Sequence, residues 1–134
     1  MLLLAVGSMV SRALDTAEIL EQKGISTGVM NCSTVKPLDS EFLKSIPEAV
    51  RVYTLEEHMM TGGFGEYVSR YCLDRGYTVP DRCYAVNDCY IPHGDHERLM
   101  KEAGLNMAIT SFIVIRSFRC SCDFVEELPD DTFD

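Results

Sequence analysis

Two adjacent acidic residues, Glu56 and Glu57, follow a run of apolar and aromatic residues in this sequence. Paired carboxylates can act as general acid and general base when both reach one substrate. On a strand, however, neighbouring side chains point to opposite faces, so these two carboxylates are not expected to share a substrate. We interpret them as a polar surface at the end of a strand, with Glu56 as the candidate contact to a neighbouring domain.

A glycine-rich turn, Gly62-Gly63-Phe64-Gly65, comes shortly after the two acids and leads into a predicted helix. Free N–H groups at the start of a helix, together with the helix dipole, can bind an anion. The other interpretation is a turn in which glycine lets a strand and a helix pack closely. We favour this second interpretation, because no Lys or Arg stands beside the turn in the sequence.

A third candidate is a group of possible metal ligands. His93 and His96 lie three residues apart, and Cys89 is near them in the sequence. Asp95 is better explained as the N-cap of a helix, which places His93 before the helix and His96 in its first turn. Because no complete ligand set with a known spacing is present, metal binding is the weaker interpretation.

These residues need a scaffold, and apolar segments alternate with amphipathic stretches along most of the chain. Ser8 or Ser11 can cap the first helix, and Asp39 can cap a second one. The residues of the first helix expected to face the core are Val10, Ala13, Leu14, Ala17 and Leu20. Strands are predicted at 2–6, 25–32, 50–55 and 83–86, and further helices at 40–46, after Gly65 as far as Gly76, and at 96–103.

This alternation predicts an α/β fold, an open, largely parallel sheet with helices on both faces. In such sheets, functional residues collect beyond the carboxyl ends of the strands. The segments expected at that edge are 7–8, 31–33, 56–65 and 88–95. The segment 107–118 fits a strand by composition and a helix by spacing, so periodicity leaves both open.

Composition excludes several classes of protein. The net charge of -9 and the lack of a Lys/Arg cluster argue against a nucleic-acid partner. The apolar start lacks a basic region and is too short for a signal peptide, and no segment is long enough to span a bilayer. Cys32, Cys72 and Cys83 fit small buried hydrophobes in a reducing compartment. We therefore expect a cytoplasmic protein that has no membrane contact.

The chain divides into two parts. Residues 1–118 are predicted to form one domain, and residues 119–134 form an acidic tail that is expected to be disordered towards its end. Cys120 and Cys122 lie at the start of this tail. They could bind a metal or act in redox chemistry, but two thiols without partners are expected to be incidental.

Several short stretches together resemble the carboxy-terminal domain of the transketolase family. They are the opening run 3–10, the stretch Val35-Lys36-Pro37-Leu38-Asp39, the stretch Thr54-Leu55-Glu56-Glu57 with the glycine turn after it, and His93-Gly94 followed by a helix and Ala103-Gly104-Leu105. The last of these makes the resemblance closest to the 1-deoxy-D-xylulose-5-phosphate synthases. The resemblance covers residues 2 to about 118.

The resemblance implies a part of an enzyme. Members of this family are thiamine-diphosphate-dependent transferases with three domains, of which the first two bind the cofactor and magnesium. The third packs against them and supports the dimer. The complete synthase would join pyruvate to glyceraldehyde 3-phosphate, with loss of carbon dioxide, to give 1-deoxy-D-xylulose 5-phosphate. Gly94-Asp95 is followed by His96, so the Gly-Asp-Gly cofactor signature is missing.

The resemblance thus assigns no catalytic, cofactor-binding or metal residue to this chain, which is expected to be inactive by itself. It implies that the partners are the cofactor-binding domains or subunit, within a homo-oligomer. The candidate domain-interface residues are Glu56, Gly62, Gly63, Phe64, Gly65, His93 and Gly94. Two alternatives stay open: a free-standing α/β interaction module, and a small metal or redox protein that uses His93, His96 and cysteines.

Overall fold

A parallel β-sheet forms the centre of the molecule in a computed structural model that describes residues 1–105, 111 and 113. Within those residues the sheet has four strands in the order β2-β1-β3-β4, and each neighbouring pair is parallel. The strands are β1 (Leu2–Ala5), β2 (Gly28–Asn31), β3 (Val52–Met59) and β4 (Arg82–Val86). The largely parallel sheet expected from the sequence is confirmed.

Helices cover both faces of this sheet. They are α1 (Met9–Gln22), α2 (Ser40–Ser45), α3 (Phe64–Arg75) and α4 (His96–Glu102). One hydrophobic cluster joins α1 and α4 to the face of Leu3 and Leu55, and a second joins α2 and α3 to the face of Leu4 and Val52. Because successive side chains of β1 enter opposite clusters, the strand is buried on both faces and reads as a continuous apolar run.

The buried stripe of α1 differs from the expected one. The buried residues are Met9, Ala13, Thr16 and Leu20, whereas Leu14 is 56% exposed. The expected and the observed sets of residues both recur every three or four positions, as a helix face requires. The burial of Met9 decides which set faces the core. Leu14 was therefore wrongly assigned to the core.

Strand β3 is longer than expected. It was predicted to end at Leu55, but it continues to Met59 with an irregular register opposite β4 between Leu55 and Met59. The two acids lie inside the strand and do not mark its end. The strand can continue because Glu56 is buried with hydrogen-bond partners, which removes the cost of placing a carboxylate there.

Helix α2 begins as its sequence predicts. The Asp39 carboxylate accepts a hydrogen bond from the Phe42 N–H at 2.9 Å. We expect Asp39→Ala to lower the free energy of unfolding by about 1 kcal/mol, the usual effect of losing an N-cap. Urea unfolding followed by circular dichroism measures it. Asp39→Asn keeps a capping oxygen, so its free energy of unfolding should stay close to that of the unchanged protein. Equal losses of unfolding free energy in Asp39→Ala and Asp39→Asn would contradict this explanation.

Two sequence predictions fall largely outside the described residues. Within 107–118 the structure describes Ser111 and Ile113, which are helical, and Ile113 is buried against the cluster that contains α1. The proposed tail, 119–134, lies outside the described residues with Cys120 and Cys122. Among the described helices, none has the length and apolar character needed to cross a membrane.

Candidate functional site

A groove of about 920 Å³ runs along the carboxyl edge of the sheet. The turn after β1 contributes Gly7 and Ser8 to it, and the end of β3 contributes Glu56 and Glu57. The rest of its lining comes from the segment before α2 (Val35, Lys36) and from the glycine turn and α3 (Gly62, Gly63, Phe64, Glu66, Tyr67, Arg70), with Val6, His58 and Thr61 between them. Of the four segments expected at this edge, 7–8 and 56–65 line the groove, whereas 31–33 and 88–95 do not.

Glu56 lies at the base of this groove and is only 2% exposed. Its two carboxylate oxygens accept hydrogen bonds from the backbone N–H groups of Phe64, at 2.6 Å, and Gly65, at 2.7 Å. These are the first N–H groups of α3, which have no acceptor within the helix. Glu56 therefore acts as a capping acid supplied by a strand, and its negative charge faces the positive end of the helix dipole.

The other amides of the glycine turn also have partners. The Gly62 N–H donates to Glu66 Oε2 at 2.5 Å, and the Gly63 N–H donates to the Met60 carbonyl at 3.3 Å. The structure does bring Lys36 and Arg70 into the groove, which the sequence did not indicate. Yet each N–H from Gly62 to Gly65 already has an acceptor inside the chain, so the turn does not offer an anion site.

Close packing explains the glycines at two of these positions. A Cβ atom on Gly63 would overlap the Met59 carbonyl and both carboxylate oxygens of Glu56. A Cβ atom on Gly65 would come within 2.5 Å of Thr54 Oγ1 and 2.7 Å of Cys83 Sγ. The start of α3 can therefore lie directly on β3 and β4 only without side chains there, which is the packing interpretation given above.

Glu57 points to the opposite side of the sheet, as expected for the neighbour of Glu56. Its Oε2 accepts a hydrogen bond from Ser8 Oγ at 2.5 Å, and its Oε1 lies 2.6 Å from His96 Nε2. Ser8 occupies the N-cap position of α1, as one expectation had it, but its hydroxyl bonds to Glu57 and makes no side-chain cap. The other candidate cap, Ser11, was wrong because it lies inside the helix. A nearby ion pair joins Arg12 to Glu97 at 2.9 Å.

These contacts change the acidity of Glu57. Its pKa is lowered, mainly by the Ser8 hydrogen bond. Burial opposes this as the second-largest effect, and His96 and Arg12 lower the pKa further. Because the pKa is lower in the folded state, these contacts stabilise the fold at pH values above the ordinary pKa of a glutamate. This stabilisation is lost as the pH falls through the lowered value. At neutral pH the carboxylate can only accept, so His96 Nε2 must carry the proton that it donates.

The loop between β4 and α4 holds the remaining candidates. His93 and Gly94 are exposed, and Tyr90 in the same loop is 93% exposed. The Asp95 carboxylate accepts from the Arg98 N–H at 3.3 Å, which confirms Asp95 as the cap of α4 and His96 as a first-turn residue. In the described part of the chain, no three His, Cys, Asp or Glu side chains come together in a way that could hold a metal ion.

Comparison with known proteins identifies the fold. The family model described as "Transketolase, C-terminal domain" matches residues 1–108. The chain belongs to the transketolase C-terminal domain family. The resemblance read from the short stretches is thereby confirmed, and a free-standing module outside this family is not favoured.

Curated relatives of this transketolase domain are named 1-deoxy-D-xylulose-5-phosphate synthase. The one from Synechococcus sp. (strain JA-2-3B'a(2-13)) is 43% identical over 108 residues, which are 80% of this chain and 17% of the relative. The one from Magnetococcus marinus is 42% identical over 109 residues, 78% of this chain and 17% of the relative. The chain thus spans about a sixth of the length of these relatives.

Solved structures agree with this assignment to the transketolase family. A chain titled "Split gene transketolase, inactive beta4 tetramer" superposes with a TM-score of 0.71 at 30% identity, over 87% of this chain and 37% of that chain. A transketolase from Pichia stipitis superposes with a TM-score of 0.58 over 88% of this chain and 16% of that chain, at 20% identity, which supports the fold alone.

Thiamine diphosphate and magnesium do not fit the described residues of this transketolase domain. The amides of the glycine turn are occupied by Glu56, Glu66 and a carbonyl, so they cannot hold a diphosphate. Asp95, the acid of the incomplete signature, is used as a helix cap, and the described residues include no cluster of metal ligands.

Proposed function

We propose that this chain completes a thiamine-diphosphate-dependent transferase of the 1-deoxy-D-xylulose-5-phosphate synthase type, either as the carboxy-terminal domain of a longer chain or as a separate subunit. The observation that carries the proposal is the coverage: about 80% of this chain matches about 17% of each synthase. A segment of that proportion, matched by the family model of a C-terminal domain, leaves the rest of the enzyme to other domains. The reaction itself, pyruvate with glyceraldehyde 3-phosphate, belongs to the other domains, which bind thiamine diphosphate and magnesium.

The partner in this proposal is the cofactor-binding part of the same enzyme, and the assembly is a cytoplasmic homo-oligomer, such as a dimer. The domain extends over residues 1–118, and the acidic segment 119–134 lies outside it. The net charge of -9 supports the expectation that neither nucleic acid nor a membrane is a partner.

The docking surface consists of the groove and the loop between β4 and α4. Of the seven candidate interface residues, Gly62, His93 and Gly94 are exposed and can touch a partner directly. The other four, Glu56, Gly63, Phe64 and Gly65, are buried and would act by fixing the shape of the groove. The exposed side chains of Tyr90 and Ile91 supply apolar area beside His93, and exposed aromatic residues of this kind often anchor interfaces.

A chimeric synthase tests the proposed function. The matching segment of the Synechococcus synthase would be replaced by residues 1–118 of this chain, and formation of 1-deoxy-D-xylulose 5-phosphate would be assayed. We expect activity well above that of the synthase truncated before the segment, because the foreign domain restores the packing of the cofactor-binding part.

The matched control is the same synthase with its own segment rejoined through the same junction. If that control is active and the chimera is no better than the truncated enzyme, this chain does not complete a synthase. A second chimera with Tyr90→Ser should lose activity or association relative to the first, whereas Leu73→Ser, at an exposed apolar residue on α3, should change neither.

A further inference from the structure

The start of α4 has few apolar attachments to the rest of the molecule. Of its residues, Met100 is buried, and Leu105 just after the helix is also buried. Residues 87–98, which include the loop and the first turn of α4, are all exposed. The amino-terminal end of the helix, and with it the loop that carries Tyr90 and His93, therefore depends on polar contacts for its position.

Two polar contacts supply that attachment. The His96 Nε2–H donates to Glu57 Oε1 at 2.6 Å, and the other oxygen of Glu57 is held by Ser8 Oγ. One step further along the helix, Arg12 donates to both oxygens of Glu97, at 2.9 and 3.0 Å. Glu57 thus stands between the turn after β1 and the first turn of α4, and it bonds to both.

We propose that Ser8, Glu57 and His96 form a latch that fixes the first turn of α4, and hence the Tyr90–Gly94 loop, in the position needed for docking onto the cofactor-binding part. This inference rests on the proposed function for its biological meaning, but the latch itself is a property of this chain. Glu57 and His96 act as positioning residues, because they hold the loop without being required to touch the partner.

The geometry around Glu57 favours this role. Ser8 fixes one carboxylate oxygen, so the other oxygen is presented to His96 in one orientation, and charge-assisted hydrogen bonds of this kind are stronger than neutral ones. The charged groups nearby are Arg12 on α1 and Glu97 on α4, and they pair with each other. Each pair has one exposed partner, with 74% of the Glu97 side chain and 58% of the His96 side chain accessible. Solvent therefore weakens both contacts, and the Arg12–Glu97 pair adds to the attachment that Glu57 provides.

Amide hydrogen exchange of the 134-residue chain tests the latch. In Glu57→Ala and His96→Ala, exchange over residues 87–103 should become about tenfold faster at neutral pH, and exchange in β1 and α3 should not change. His96→Gln should restore protection in part, because its amide N–H can still donate to Glu57. A helix that is merely destabilised by loss of the histidine would not be rescued in this way.

Arg98→Ala is the matched control for this experiment. It removes an ion pair within α4, from Arg98 to Glu102 at 2.8 Å, without touching the contact to Glu57. If Glu57→Ala leaves exchange over residues 87–103 unchanged, or if Arg98→Ala raises it equally, there is no latch.

The chimeric synthase separates failure of the latch from failure of the proposed function. An active chimera that loses oligomer stability with Glu57→Ala supports both. An active chimera that is insensitive to Glu57→Ala overturns the docking role of the latch but keeps the proposed function. If the chimera is inactive while exchange still responds to Glu57→Ala, the proposed function fails, and the claim that the latch serves docking fails with it.

Discussion

Glu56→Gln is expected to lower the free energy of unfolding by about 2–3 kcal/mol, although glutamine has almost the same shape as glutamate. The carboxylate accepts from the N–H groups of Phe64 and Gly65 through its two oxygens, and the residue is 2% exposed. Glutamine has one oxygen, so its NH₂ group would face a backbone N–H, donor against donor. Water cannot compensate easily at a buried site.

Urea unfolding measures this loss, with Glu48→Gln as the matched control. Glu48 is exposed in the connection after α2, so its substitution should change the unfolding free energy by less than about 0.5 kcal/mol. Circular dichroism at low urea would verify that both variants are folded. A Glu56→Gln variant as stable as the control would mean that the carboxylate does not hold the start of α3.

Gly63→Ala is expected to lower the free energy of unfolding by about 2–4 kcal/mol, more than most single substitutions do. The backbone is not the cause, because φ at Gly63 is -76° and alanine adopts that value freely. The added methyl group would instead overlap the Met59 carbonyl and both oxygens of Glu56. Either the carboxylate gives up its bonds to α3, or the turn moves away from β3.

Gly28→Ala provides the control for this second prediction. Gly28 is exposed at the start of the edge strand β2, and a Cβ atom there would meet Leu2 Cδ1 at an ordinary 3.5 Å, so stability should change by less than about 1 kcal/mol. In a protein that already carries Glu56→Ala, Gly63→Ala should lower the free energy of unfolding by less, because the clashing carboxylate is gone. Strict additivity of the two substitutions would contradict the proposed contact between these residues.

The fold could be predicted from local signals because those signals act over a few residues. Asp39 and Asp95 are caps whose acceptor role needs only the next three residues, and both were assigned correctly. Gly76 ends α3 with a left-handed conformation, as its position in the sequence indicated. Alternation of such helices with apolar strands is sufficient to predict a parallel sheet covered on both faces.

The site could be predicted less fully, since its contacts join distant parts of the chain. Ser8 is 49 residues from Glu57, and Glu57 is 39 residues from His96, so no spacing rule links the three. The available signal was that segments 7–8, 56–65 and 88–95 were expected at the same edge of the sheet. Glu56 was expected to face a neighbouring domain, and that interface role stays a proposal, whereas its burial beneath α3 depends on the tertiary structure.

The measurement that tests the central claim most directly is a hydrogen-exchange footprint of the chimeric synthase compared with the isolated chain. We expect added protection at 60–63, beside the groove, and at 87–94, in the exposed loop, with no change around Leu73 on α3. Protection at these two segments would show that the carboxyl edge of the sheet docks onto the cofactor-binding part. Protection confined to other surfaces, with these segments unchanged in an active chimera, would contradict the account.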